Sequence, residues 1–177
     1  MRGFGWYPDV VPSYQIRLFG DPVLKQHAKD VADVDGTLAR TIDAMYETMY
    51  DADGGGLAAP QVGIGRRFFV YKTEDGPQVA INPEIVDSSG ELEWIEGCLS
   101  IPGIGFEIVR PELVTLKAFD LDGNEIFIEA DDYMGRMFQH EIDHLNGVLF
   151  IDHLSKLKRD RVVTKFKKAA KREATGA

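Results

Sequence analysis

Gln139-His140-Glu141-Ile142-Asp143-His144 is the stretch on which the reading of this chain turns. The four-residue gap between His140 and His144 advances an α-helix by about 400°, so both imidazoles share one face and can grip one metal ion. Glu141 lies about 100° round from His140, beside such an ion, where it can take a proton from a water that the ion holds. H-E-x-x-H is short enough to arise by chance. Against chance stands the count of histidines: there are four, and two of them fall at ligand spacing. The single cysteine lies in Glu96-Gly97-Cys98-Leu99-Ser100, a loop-like segment. A lone cysteine is usually a small hydrophobe, but this Gly- and Ser-flanked setting makes Cys98 a candidate third ligand. Two imidazoles and a thiolate leave one position of a tetrahedral ion open, the catalytic pattern rather than the closed structural one. His27 and His153 have no comparable neighbours and read as surface or structural residues.

The surrounding sequence places this motif on a helix that Asp131 or Asp132 caps, that runs to about Leu145, and that Asn146-Gly147 ends. Before it come strand signals at 67–72, 78–86, 113–121 and 125–130, with Asp122-Gly123 as a hairpin turn between the last two. Further upstream, Leu38, Ile42, Met45 and Met49 recur at spacings of three and four, which predicts an amphipathic helix over 35–53 with Asp35 as N-cap and Gly54-Gly55-Gly56 as its stop. Ser155 caps a last, basic helix. Strands dominate the middle and helices the ends. The fold class is therefore α+β, with largely antiparallel sheets around a central metal-binding helix and with N-terminal and C-terminal helices.

The 177 residues predict one catalytic domain, with 1–15 as an N-terminal extension and 155–177 as a basic tail. Hydrophobic residues make up 44% and charged residues 28%, which excludes a disordered chain, a collagen-like fibre and a coiled-coil rod. No apolar run reaches the roughly 20 residues that span a bilayer, and the N-terminus lacks a continuous apolar stretch like that of a secretory signal. One cysteine allows no internal disulfide. These features predict a cytoplasmic protein with no membrane partner. The net charge of −9 is unevenly spread: residues 155–177 hold nine Lys and Arg against two acids, or +7, leaving −16 on residues 1–154. The acidic body argues against DNA as a partner, while the tail can meet something anionic.

Three motifs coincide in order. Gly54-Gly55-Gly56-Leu57-Ala58-Ala59-Pro60-Gln61, Glu96-Gly97-Cys98-Leu99-Ser100 and Gln139–His144 resemble the three motifs of peptide deformylases, and the likeness extends from about Ile16 to Leu157. The tract Asn146-Gly147-Val148-Leu149-Phe150 fits as well. The resemblance implies a hydrolase that removes the formyl group from N-formylmethionyl nascent peptides and releases formate. It implies metal binding by Cys98, His140 and His144, with Fe(II) as the ion in the cell and Zn(II), Ni(II) or Co(II) able to substitute. A metal-bound water would attack the formyl carbon, with Glu141 as general base and then acid. The Gln61 side-chain amide and the Leu99 backbone N–H would stabilise the oxyanion. Gly54, Gly55, Gly56 and Gly97 would let the substrate main chain approach like an added strand. The bacterial relatives imply that the basic C-terminal helix docks on the ribosome; its bland alternative is a solvated face.

Several residues keep two readings. Tyr133 and Met137, seven and three residues before His140, line a methionine pocket or serve as plain core. Arg136 reaches an acid or snorkels outward. Glu96 pairs with Arg110 as a structural salt bridge, and Asp143 orients a ligand or caps local backbone. Trp6 and Tyr7 pack on the body, contact a neighbouring subunit or stay disordered, with packing the favoured expectation. Two rivals remain: an H-E-x-x-H peptidase that cuts internal peptide bonds, and a metal-stabilised binding module, which would need a fourth protein ligand.

Overall fold

In the computed structural model, which describes residues 13–175, a five-stranded antiparallel sheet lies between two helices. Helix α1 (Gly36–Asp51) begins where Asp35 accepts a 2.8 Å hydrogen bond from the Leu38 N–H, the cap that the sequence predicts. Strands β1 (Gly56–Ala58), β2 (Phe68–Thr73) and β3 (Gly76–Ser89) follow, then a separate hairpin of β4 (Leu92–Cys98) and β5 (Ile101–Arg110). Strands β6 (Leu113–Phe119) and β7 (Glu125–Ala130) rejoin the main sheet, whose order is β1-β2-β3-β6-β7. The Asp122-Gly123 turn joins β6 to β7 as expected, with Gly123 at φ 79°. The expected packing of Trp6 and Tyr7 lies outside the described residues.

Strand β2 explains the layering. Its Phe68-Phe69-Val70-Tyr71 run is buried throughout, because alternate side chains enter different cores. Phe68 and Val70 join Leu38, Ile42, Met45 and Met49 of α1. Phe69 and Tyr71 join Met137, Phe138 and Leu145 of helix α2 (Asp132–Leu145). Each large apolar side chain so buried contributes about 1.5–3 kcal/mol, so the sheet is held from both sides. Asp131 is the N-cap residue of α2, one of the two expected, although its side chain makes no cap bond. Gly147, at φ 72°, ends the turn after α2; a Cβ there would stand 2.6 Å from the Lys25 carbonyl oxygen.

A third core joins Leu24, Ile101 and Ile108 to Phe150, Ile151 and Val162. Val162 lies on helix α3 (Lys156–Thr175), and Phe166 of the same helix packs edge-on against Phe19 at 5.5 Å. Among the described residues no helix is long and apolar enough to cross a membrane.

Candidate active site

The sequence reading of 96–100 as a loop is corrected by the structure: Cys98 is the last residue of β4. The regular β4–β5 register holds to Gly97↔Gly105 and then jumps to Cys98↔Ile101, with Leu99 and Ser100 as the turn. The jump brings Cys98 against α2. Its Sγ lies 3.3 Å from His144 Nε2, and the His140 and His144 rings stand edge to face at 4.9 Å. The donor atoms of Cys98, His140 and His144 all lie within 4.8 Å of one another. A thiolate and two imidazoles suit several divalent ions of the first transition row, and three protein donors leave a position for water or substrate. The residues present therefore fit a catalytic metal. Burial, then the neighbouring His140, pushes His144 well below its ordinary value, so its lone pair is available. Burial also disfavours charge on His140, but hydrogen bonds to Cys98 and Glu96 raise it well above its ordinary value.

Glu96 is the residue whose role sequence reasoning missed. Its pairing with Arg110 is as expected, bidentate through Arg110 Nε and a second guanidinium nitrogen at 3.0 Å. Glu96 also accepts from Arg136 at 2.6 Å, which settles Arg136 as a buried partner rather than an outward one. Its Oε2 meets His140 Nδ1 at 3.0 Å, leaving Nε2 of that ring for the cluster. A carboxylate behind a ligand histidine fixes the ring's tautomer and orientation. Burial alone would raise the Glu96 carboxyl; bonds from His140 and Arg110 hold it well below the usual carboxylate range. Asp143 extends the network, taking Arg110 at 2.9 Å and His153 at 2.7 Å. His153 is therefore partnered, contrary to its isolated look in sequence. One signal was available for Glu96: on a strand, residues two apart share a face, so an acid two positions before Cys98 looks inward and needs cations.

Beside the cluster lies a cavity of about 560 Å³ whose lining includes Cys98, His140, Glu141, Gln61 and Met137. Glu141 is buried, and its Oε2 has no hydrogen-bond partner. Burial pushes its carboxyl up to about 7, against the pull of His140. A divalent cation nearby would draw it back toward the ionised form. Gln61 is only 2% exposed, a buried amide rather than a surface polar residue. Its Oε1 accepts the Ala58 N–H at 2.8 Å, and its Nε2 faces Ser100 Oγ at 3.2 Å and Cys98 Sγ at 3.7 Å.

The glycines make room for the site. A Cβ at Gly56 would meet Glu141 Oε1 at 2.7 Å, and one at Gly55 would meet the Tyr133 hydroxyl at 2.0 Å. At Gly54 it would meet Leu99 Cδ1 at 2.9 Å, whereas at Gly97 the nearest atom is 3.7 Å away. Leu99, Gly54 and Gly97 all line the cavity. Met137 is 5% exposed and belongs to the α2 core, as one of its readings has it, and it also lines the cavity. Tyr133 also lines it but is 56% exposed, a rim residue rather than core. Trp94 and Ile95 of β4 were not foreseen there; both are exposed and complete the rim.

Comparison with known proteins now bears on this geometry. The family model described as Polypeptide deformylase matches residues 13–160. A peptide deformylase of Hydrogenovibrio crunogenus is 47% identical over 162 residues, 90% of this chain and 96% of that one. One of Thermotoga neapolitana is 52% identical over 147 residues, 82% and 90% of the two chains. Among solved structures, a peptide deformylase from Legionella pneumophila superposes with a TM-score of 0.86 at 43% identity, covering 92% of this chain and 98% of that one. The Ehrlichia chaffeensis peptide deformylase in complex with actinonin gives a TM-score of 0.85 at 40% identity, covering 89% and 98%. The α+β fold is theirs. Matched in sequence and in three dimensions over most of its length, the chain belongs to the polypeptide deformylase family and is an enzyme, a hydrolase of that metal-dependent kind.

Proposed function

We propose that this chain removes the formyl group from the N-terminal methionine of newly made polypeptides, yielding formate and a free α-amine. The observation that carries the reading is the convergence of Cys98, His140 and His144 beside a cavity that also presents Glu141 and Gln61. These three residues would hold one divalent ion, Fe(II) in the cell by the family resemblance, with Zn(II), Ni(II) or Co(II) suiting the same donors. Such an ion supplies a Lewis acid that makes water a nucleophile at neutral pH. Glu141 accepts the proton of the attacking water and passes it to the departing amine, a role supported by its buried, unpartnered Oε2. The Gln61 amide and the Leu99 backbone N–H donate to the oxygen that gains charge. Gly54, Gly55, Gly56 and Gly97 receive the peptide main chain, and Met137 with Tyr133 receives the methionine side chain. A substrate made at the ribosome supports a cytoplasmic location.

The test is formate release from formyl-Met-Ala-Ser. Protein prepared anaerobically and loaded with Fe(II), Ni(II) or Zn(II) is expected to release formate, to stop when the ion is chelated, and to recover when it is returned. An N-terminally blocked peptide with an internal bond to cut should remain intact. Folded protein that binds one ion per chain and releases no formate with any of the three would overturn the reading.

The ribosome is the proposed docking partner of α3. Lys165, Lys167 and Lys168 are exposed, while Val162 and Phe166 anchor the helix to the body. Truncating the helix would therefore disturb packing as well as charge. The cleaner variant reverses Lys165, Lys167 and Lys168 to Glu. Its co-sedimentation with ribosomes is expected to be lost at a salt concentration where the unaltered chain still binds, with peptide deformylation in solution unchanged. Co-sedimentation equal to that of the unaltered chain at every salt would sink the docking role.

A further inference from the structure

We propose that Ser100 is a positioning residue for Gln61: its hydroxyl takes one Nε2 hydrogen of the Gln61 amide and so aims the other at the reacting carbonyl. The inference rests on the reading of Gln61 as the oxyanion donor. Ser100 is fully buried, and its Oγ stands 3.2 Å from Gln61 Nε2, a contact between residues 39 apart in sequence. The far side of the amide is committed, because Oε1 accepts the Ala58 N–H. A flipped amide would set two donors against each other there.

That bond alone leaves the last torsion of Gln61 loose, since rotation about a terminal sp³–sp² bond has broad, shallow wells. Ser100 supplies the second point that fixes it. The remaining Nε2 hydrogen is directed toward Cys98 Sγ at 3.7 Å. An N–H···S contact of that length yields readily to a negatively charged oxygen, a much stronger acceptor. The backbones of both residues are pinned by one extended segment: the Arg17 N–H donates to the Gln61 carbonyl at 2.7 Å and the Phe19 N–H to the Ser100 carbonyl at 2.8 Å. Gln61 and Ser100 therefore meet at a fixed separation. The turn that carries Ser100 also carries Leu99, so the side-chain donor's orienter and the backbone donor are neighbours.

The test is a double-mutant cycle on the Ni(II)-loaded full chain with formyl-Met-Ala-Ser, melting temperature being followed for every variant. Gln61→Ala is expected to lower kcat by about 10²–10³-fold. Ser100→Ala should lower kcat roughly fivefold to tenfold, the worth of one hydrogen bond, with KM unchanged. In the Gln61→Ala background, adding Ser100→Ala should cost nothing more. Ser100→Cys keeps the side chain's shape with a weaker acceptor and should fall between serine and alanine; it replaces Ser100→Ala in the cycle if the alanine variant does not fold. Equal losses in both backgrounds, or an unchanged kcat for the Ser100 variants while Gln61→Ala is impaired, would overturn the positioning role. An unchanged kcat for Gln61→Ala would instead overturn the reading of Gln61, and the role of Ser100 with it.

Discussion

Replacing Glu141 by Gln is expected to leave a folded chain that still binds one metal ion but releases formate with a kcat lower by about 10²–10⁴-fold. The side chain keeps its shape, so Gly56 still packs against it, but the amide accepts no proton. KM and metal content should hardly move, because Cys98, His140 and His144 are untouched. Stability should move in the opposite direction from activity. The folded-state carboxyl is raised to about 7 by burial, from an ordinary 4.5. A raised carboxyl contributes stability that is present below its unfolded value and is lost as pH rises through the folded one. Above pH 7, metal-free Glu141→Gln should therefore melt higher than the metal-free parent. Unimpaired formate release by the variant, measured at matched metal content, would remove Glu141 from the chemical step.

Glu96→Gln is expected to be the more damaging change to the fold. It leaves the buried guanidiniums of Arg110 and Arg136 without the carboxylate that both now share. Removing one partner of a buried ion pair costs about 3–5 kcal/mol, which should appear as a lowered denaturant midpoint. Arg110 keeps Asp143, but the other acceptors of Arg136 among the described residues are the uncharged carbonyls of Ile108 and Leu92. His140 loses its charged acceptor as well, and the loss of such a partner typically weakens metal affinity by about 10–100-fold. The acid response should change too. Because the folded-state Glu96 carboxyl is depressed, its contribution is intact above the ordinary value of 4.5 and is lost as pH falls from there through the folded value. The variant should lack that limb of the acid profile. A midpoint and a metal affinity equal to the parent's would show that Arg110, Arg136 and His140 do not depend on Glu96.

What the sequence makes legible here is what repeats locally. Helix α1 announces itself by Leu38, Ile42, Met45 and Met49 and by its Asp35 cap, and β7 begins and ends where its alternation does. The two histidines are legible for the same reason, since a four-residue gap has one meaning on a helix. The hairpin of β4 and β5 is not legible. Glu96 interrupts the Leu92-Trp94 face of β4, and Gly103 and Gly105 break up β5, so neither strand shows a clean apolar alternation. The role of Glu96 depends on a residue 44 positions away, and that of His153 on a 3₁₀ turn over Phe150–His153 that folds back on α2. Beyond the strand alternation that turns Glu96 inward, no local pattern records which distant partners these residues meet. Gln61 lies between these cases: its motif drew attention to it, but its burial and its bond to Ser100 come from packing alone.

The bonds made by the segment around residues 17–28 have a consequence for the order in which this protein assembles itself. Arg17 and Phe19 reach Gln61 and Ser100, the Ala28 N–H reaches the Leu145 carbonyl, and Lys25 pairs with Asp152. During synthesis these early residues leave the ribosome well before their partners exist, whereas β2 with β3 and β6 with β7 join sequence neighbours and can pair as they emerge. The 17–28 segment is thus a strap that closes only after its distant partners have been made. A chain halted before residue 145 has nothing for Ala28 to bind, and before residue 100 it has no turn for Phe19 to hold. Each of these bonds therefore needs both ends of a long loop, so the strap that pins Gln61 and Ser100 cannot close on a partial chain.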